Sequence, residues 1–183
     1  MNFSDYVSQL KRLYAEANQE LDLEPPADDA ALAQSEQSLG PLDPKLRAAW
    51  AEANGAGEYS PFFARPGFVT PYDFISIEDA TYEQSELQNC ADTYEGCEEP
   101  EPRDSRIAPG WFLPGWTPFA QFGGGSLLLL SDMAPSPTGQ AGQIIGFVHD
   151  PDEIVYIAQD FDAFLAASIE MIEQCASEFL EEM

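Results

Sequence analysis

One histidine, three cysteines and thirty-three carboxylates are the groups from which this chain would have to build any chemistry. His149-Asp150 sets an imidazole beside a carboxylate, the pairing that general acid–base catalysis uses. No nucleophile stands near it in a recognisable setting, and the sequence places it at a strand end beside a turn. Phe122-Gly-Gly-Gly125-Ser126 has the glycine content of a phosphate cradle but no lysine, and it does not match GxxxxGK[ST]. It also opens into a strand, so no helix N-terminus would face an anion; a tight turn is expected. Asp150-Pro-Asp152-Glu153 and Glu98-Glu-Pro-Glu101 offer hard oxygen ligands, yet neither follows the twelve-residue calcium loop with its glycine bend. Cys90, Cys97 and Cys175 form no CxxC and lack the spacing of a zinc site. Three free thiols are expected, with a Cys90–Cys97 bridge as the alternative. Trp111 and Trp116 read as core filling before they read as a ligand platform. No cofactor, metal or catalytic set is therefore expected, and an enzyme is the least favoured class.

The carboxylates are more informative as a population. With 7 Lys and Arg against 33 Asp and Glu, the formal charge is −26. Solubility alone needs far less. Such a surface repels phosphate backbones and anionic lipid, which excludes nucleic acid and membranes as direct partners. A basic protein remains. The stretch 107–183 carries eleven acids with no Lys or Arg, and 78–104 carries ten acids with one arginine, Arg103. Within the latter, Glu78, Asp79, Glu83 and Glu86 stand at helical i,i+3 and i,i+4 spacings that cost a helix a few tenths of a kcal/mol per like-charged pair. Asp92, Glu95, Glu98, Glu99 and Glu101 follow in the adjoining segment. As one patch these residues would speed docking of a basic partner. Any one of them reads equally well as a solvated charge. Tyr82, Tyr94 or exposed aromatics of the segment 56–72 are the expected anchors inside the acidic rim.

The elements that must position these groups follow from periodicity. Phe3, Tyr6, Val7, Leu10, Leu13 and Tyr14 define an amphipathic helix that Pro25-Pro26 either ends or follows. A second helix is expected from Ala27 to Leu39, closed by Gly40-Pro41. A third is expected from Asp43-Pro44, with Asp43 as cap and Asn54-Gly55 at its C-terminal end. The segment 56–72 reads as a long loop with one short strand. Phe74-Ile75 leads into a fourth helix capped by Ser76 and running to about Asn89. Residues 92–104 read as a solvated loop. Aromatic-rich entry at 111–119 precedes strands at 127–130, 142–149 and 153–158, the last two forming an antiparallel hairpin. A single helix from near Asp160 to the C-terminus closes the chain. The expected class is α+β: a largely antiparallel mixed sheet packed by N-terminal, middle and C-terminal helices.

The chain fits one domain, 1–183, with an acidic loop insertion around 92–104. No run of eighteen apolar residues exists, and Met1-Asn-Phe-Ser-Asp-Tyr does not read as a secretory signal. A soluble, cytoplasmic protein is expected, as a monomer or small homo-oligomer.

Two segments carry a resemblance. Leu39-Gly-Pro-Leu-Asp-Pro-Lys-Leu-Arg-Ala-Ala-Trp50-Ala-Glu-Ala-Asn54-Gly55 resembles the "LG…LP…LR…NG" helix of the SUKH superfamily, which includes Smi/Knr-type cell-wall assembly regulators. Trp116-Thr-Pro-Phe-Ala120, Gly124-Gly125, Asp132, Pro135, Gly142-Gln-Ile-Ile145 and His149-Asp150 are similar to its sheet region in the same order. Phe161 and Phe164-Leu165 fit its closing helix. The resemblance spans roughly residues 30–180. Asp43 departs from the family's Leu-Pro, as does the acidic insertion. The resemblance implies a non-enzymatic domain with a largely antiparallel sheet. In bacteria such domains are commonly immunity proteins that neutralise a cognate toxin, often a nuclease; the alternative is a regulatory protein–protein interaction scaffold of the Smi/Knr type.

Overall fold

A computed structural model describes residues 1–57 and 60–181. Among the described residues, every α-helix but the last starts where a short polar side chain satisfies a free amide. Asn2 caps α1 (Phe3–Glu16) by accepting from Asp5 N, and Asp28 caps α2 (Asp29–Leu39) by accepting from Ala31 N. The second helix was expected from Ala27; Asp28 makes the cap and so delays the start. Asp43 Oδ1 accepts from Lys45 N at 2.7 Å and Leu46 N at 3.1 Å at the head of α3 (Pro44–Glu52). The departure from Leu-Pro thus leaves a proline one residue later and supplies a cap before it. Ser76 caps α4 (Ile77–Cys90) as expected. The closing helix is two: α5 (Phe161–Gln174) breaks at Cys175 before α6 (Ala176–Glu181). The bend allows Phe179 and Leu180 to be buried.

Six strands pair antiparallel in chain order: β1 (Phe63–Ala64), β2 (Pro71–Phe74), β3 (Trp116–Phe122), β4 (Leu127–Asp132), β5 (Gln143–Val148) and β6 (Glu153–Ala158). The α+β class and the β5–β6 hairpin are as expected. Two strands, rather than one, lie in or beside the segment 56–72, and Phe74 ends β2 instead of leading directly into a helix.

The sheet is buried on both faces. On one, Phe119, Leu129 and Ile144 meet the helical layer, including Phe3, Trp50, Phe161 and Phe164. On the other, Trp116, Leu128, Leu130, Ile145, Phe147 and Ile154 are covered by Leu87, Ile107 and Phe112. This explains the continuous apolar run of β4: alternate leucines face two different cores.

Both sheet edges carry side-chain partners. At β1, Tyr14 Oη donates to Pro61 O at 2.8 Å and Tyr6 Oη donates to Phe62 O at 2.6 Å. Ala64 N donates to Ser168 Oγ at 2.9 Å, and Ser168 Oγ lies 3.1 Å from Tyr6 Oη. Since Tyr6 gives its proton to Phe62, Ser168 donates to Tyr6, and every group in the chain is satisfied. Burial raises the pKa of both tyrosines, so they remain protonated donors.

The segment 92–104 is only partly the solvated loop expected. It begins with a 3-10 turn, Ala91–Tyr94. Asp92, Glu95, Glu98 and Glu101 are exposed, but Glu99 is not. Its Oε2 accepts from Arg103 Nε at 2.7 Å, with the two side chains 14% and 13% exposed. Arg103 also donates to Ala108 O and Gly110 O and stacks on Trp111, its guanidinium carbon 5.0 Å from the ring centroid. Glu99 therefore anchors the segment instead of solvating it. A lone arginine amid acids at i,i+4 spacing was the available signal.

Candidate docking surface

Four segments meet around an open groove of about 810 Å³. Glu24 comes from the connection between α1 and α2, and Asn54–Gly57 from the end of α3. β2 contributes Asp73 and Phe74, and the end of β3 contributes Gln121 and Phe122. Gly55 permits this convergence. At φ +108° it holds a conformation that favours glycine, and a Cβ there would stand 3.0 Å from Phe74 O.

Asn54 was expected as part of a C-terminal cap for α3. Instead it joins α3 to α4. Its Oδ1 accepts from Ile77 N at 2.9 Å and its Nδ2 donates to Glu78 Oε2 at 2.8 Å. Ser76 Oγ donates to Asp79 Oδ2 at 2.7 Å while Asp79 N donates to Ser76 Oγ at 3.0 Å, a reciprocal cap. Glu78 and Asp79 therefore have local duties, yet both remain exposed. Asp79 lines the groove, whereas Glu78 lines a neighbouring hollow of about 340 Å³ together with Glu24 and Asp28.

The groove carries no lysine or arginine among its lining residues, whereas Glu24, Asp73 and Asp79 line it with the apolar surface of Phe74, Ile75 and Phe122. The ion pairs among the described residues lie elsewhere: Arg12 with Glu16 and Glu173, Lys45 with Asp160 and Asp162, Arg47 with Glu36, and Arg103 and Arg106 with Glu99 and Asp104. Partial burial raises the Asp73 carboxyl above its ordinary range. Glu83 is raised by burial and then by the neighbouring charge of Glu86. Glu83 packs against the β3–β4 turn, where a Cβ at Gly125 would stand 3.1 Å from its Oε1.

The expected aromatic anchors divide sharply. Tyr82 is 66% exposed, on the outer side of α4. Tyr94 is half-buried, with Trp111 5.2 Å and Phe112 5.0 Å away between ring centroids. It serves the second core. In the segment 56–72, Phe62 and Phe63 are buried and Phe68 is 52% exposed. Glu24, Asp28, Asp73 and Phe122 were missed as surface partners. They lie far apart in the chain, and no local periodicity marks them as neighbours.

The chemically suggestive motifs resolve into structure. His149 Nδ1 pairs with Asp152 Oδ1 at 2.7 Å on the exposed turn after β5. Gly123, Gly124 and Gly125 all have positive φ and form the tight turn. Cys90, Cys97 and Cys175 are free thiols. Trp116 is buried in the second core. Among the described residues, no group of three or more His, Cys, Asp or Glu side chains is placed to hold a metal ion.

The SUKH resemblance implies a mixed, largely antiparallel sheet packed by helices; the sheet observed is antiparallel at every pairing among the described residues. Comparison with protein families bears the resemblance out: residues 26–167 match the SMI1 / KNR4 family (SUKH-1), and the chain belongs to that family. None of the curated proteins matches the chain. No helix among the described residues is long and apolar enough to cross a membrane.

Proposed function

We propose that this chain is an immunity-type SUKH protein that binds a basic protein partner, a cognate toxin domain of the nuclease class, and acts by binding instead of catalysis. Membership of the SMI1 / KNR4 family supports an immunity or Smi/Knr-type domain. The observation that carries the choice of partner is the convergence of Glu24, Asp73 and Asp79 on a groove without a cation. A net charge of −26 surrounds that groove. Nucleases hold phosphates with basic surfaces, so they present the complementary charge. Exposed Glu86 and Tyr82 on α4 add charge and apolar surface on the helix whose first turn carries Asp79, whereas Glu99 and Glu101 stand beside β6, at the other edge of the sheet. Long-range charge would set the rate of encounter, while Phe122 and Tyr82 supply apolar contact. Three free thiols support a reducing compartment, the cytoplasm.

The test is co-expression with the product of the adjacent gene, followed by binding kinetics on the purified pair. A Glu24→Lys, Asp73→Lys double variant is expected to slow association by at least about tenfold at low salt, and wild-type association should slow with added salt. A complex whose formation ignores both changes would refute the acidic groove. Full toxicity with no complex would refute the immunity assignment. A Smi/Knr-type regulatory scaffold is the second reading within the same family, and recovery of several unrelated partners in pull-downs would favour it.

A further inference from the structure

Two arginines of this chain are held in the same way. Arg103 lies over Trp111, its guanidinium carbon 5.0 Å from the ring centroid, while its Nε donates to Glu99 Oε2 at 2.7 Å. The other oxygen of Glu99 accepts from Ile154 N at 2.8 Å, on strand β6, which holds the carboxylate in place. Arg106 lies over the Tyr156 ring, 3.3 Å from its centroid, and donates to both oxygens of Asp104, at 2.9 and 2.7 Å. In each case the guanidinium is set on a ring while its N–H groups reach a carboxylate. A planar, weakly hydrated guanidinium can do both at once. The compact, strongly hydrated ammonium of lysine has no flat face to lay on a ring.

The groove at the junction of α3, α4 and β2 offers the ring and the carboxylates but no arginine. Phe122 lines it at 38% exposure, next to Gln121, which stands opposite Asp73 across β3 and β2. Asp79 enters from the first turn of α4. Phe68, also exposed, differs in that Arg65 of this chain already lies over its ring, 4.3 Å from the centroid. We infer that the groove receives an arginine side chain of the basic partner, with Phe122 as the stacking face and Asp73 and Asp79 as the acceptors. The inference rests on the reading of this chain as a binder of a basic protein, and it narrows that reading from positive charge in general to one kind of side chain. An acidic surface by itself attracts lysine and arginine alike, because its field acts on charge. Phe122 is therefore the residue that discriminates. The open volume of about 810 Å³ also admits the backbone that carries the arginine.

The experiment titrates the full chain with two blocked peptides of equal charge, acetyl-Gly-Arg-Gly-amide and acetyl-Gly-Lys-Gly-amide, and follows its backbone amides by NMR. The arginine peptide is expected to shift the amides of Asp73, Phe74, Gln121 and Phe122, and to bind about threefold more tightly than the lysine peptide, as stacking on a partly exposed ring provides. Phe122→Leu should bring the arginine peptide down to the affinity of the lysine peptide and leave the lysine peptide unchanged. Asp73→Asn should weaken both. Equal affinity of the two peptides for the wild type would overturn the proposal, and so would shifts that spread over the acidic surface without reaching Phe122. A Phe122→Leu variant that keeps the arginine preference would overturn it too. The wild-type comparison gives an answer even if Phe122→Leu does not fold. Both peptides report on the groove whether or not the adjacent gene encodes a partner. An arginine preference with no toxin complex would leave the arginine site standing and remove the immunity reading. A toxin complex with no peptide preference would do the reverse.

Discussion

Ser168 shows how much one buried hydroxyl can hold. It accepts from Ala64 N and donates to Tyr6, which donates to Phe62 O, so three elements share one proton order. Replacing it with alanine leaves the Ala64 N–H and the Tyr6 lone pairs without their partner. Ser168→Ala is expected to cost about 1–3 kcal/mol in urea unfolding, in line with a buried donor left unmade. A loss below about 0.5 kcal/mol would mean that water fills the gap. Nothing in the sequence marked this serine, because it sits mid-helix and its partners lie more than 100 residues away. Asp43, Ser76 and Asp160 were different. Their role is local, set within three residues, and cap chemistry made them legible. Glu99 was legible as an acid but not as an acceptor for the Ile154 amide, since only the fold shows that β6 passes beside it.

At the scale of elements, the long helices and the strands β4, β5 and β6 were legible because each holds several turns or alternations of apolar pattern. The two residues of β1 are too few for any period, and β2 has only four, starting with a proline. The break at Cys175 also escaped, because the apolar spacing continues across it. Half of the candidate surface was legible in the same sense. Glu78, Asp79, Tyr82, Glu83 and Glu86 share α4, whereas Glu24 and Asp73 join them only through the junction at Gly55. That junction can be tested on its own. Gly55→Ala forces a Cβ to within 3.0 Å of Phe74 O at a φ of +108°. It is expected to destabilise the fold by about 1–3 kcal/mol, read as a fall in Tm. An unchanged Tm would show that the α3–β2 contact yields without cost.

For the whole molecule, the charge sets how stability responds to solution conditions. Asp73, Glu83 and Asp132 all have carboxyls raised by burial. A raised carboxyl contributes stability that is fully present below its ordinary pKa and is lost as pH rises through the raised one. Asp104, lowered to about 2 by Arg106, and Asp160, lowered by the Ala163 amide, behave oppositely, but their contributions fade only in stronger acid. Tm should therefore rise as pH falls from neutrality toward the ordinary carboxylate range. At neutral pH it should rise with added salt, which screens the self-repulsion of a −26 surface. Thermal scans over a pH and salt grid would show both trends, and a Tm that drops on mild acidification would contradict them. The seal on β1 has a kinetic consequence as well. Its hydroxyls lie at residues 6, 14 and 168: Tyr6 and Tyr14 can reach Phe62 and Pro61 from the first helix, but the Ala64 N–H must wait for Ser168 on α5. During synthesis at about 5–20 residues per second, the nascent β1 edge spends several seconds with Ala64 unsealed. That interval, more than the finished fold, is when this chain is most open to engagement by a chaperone.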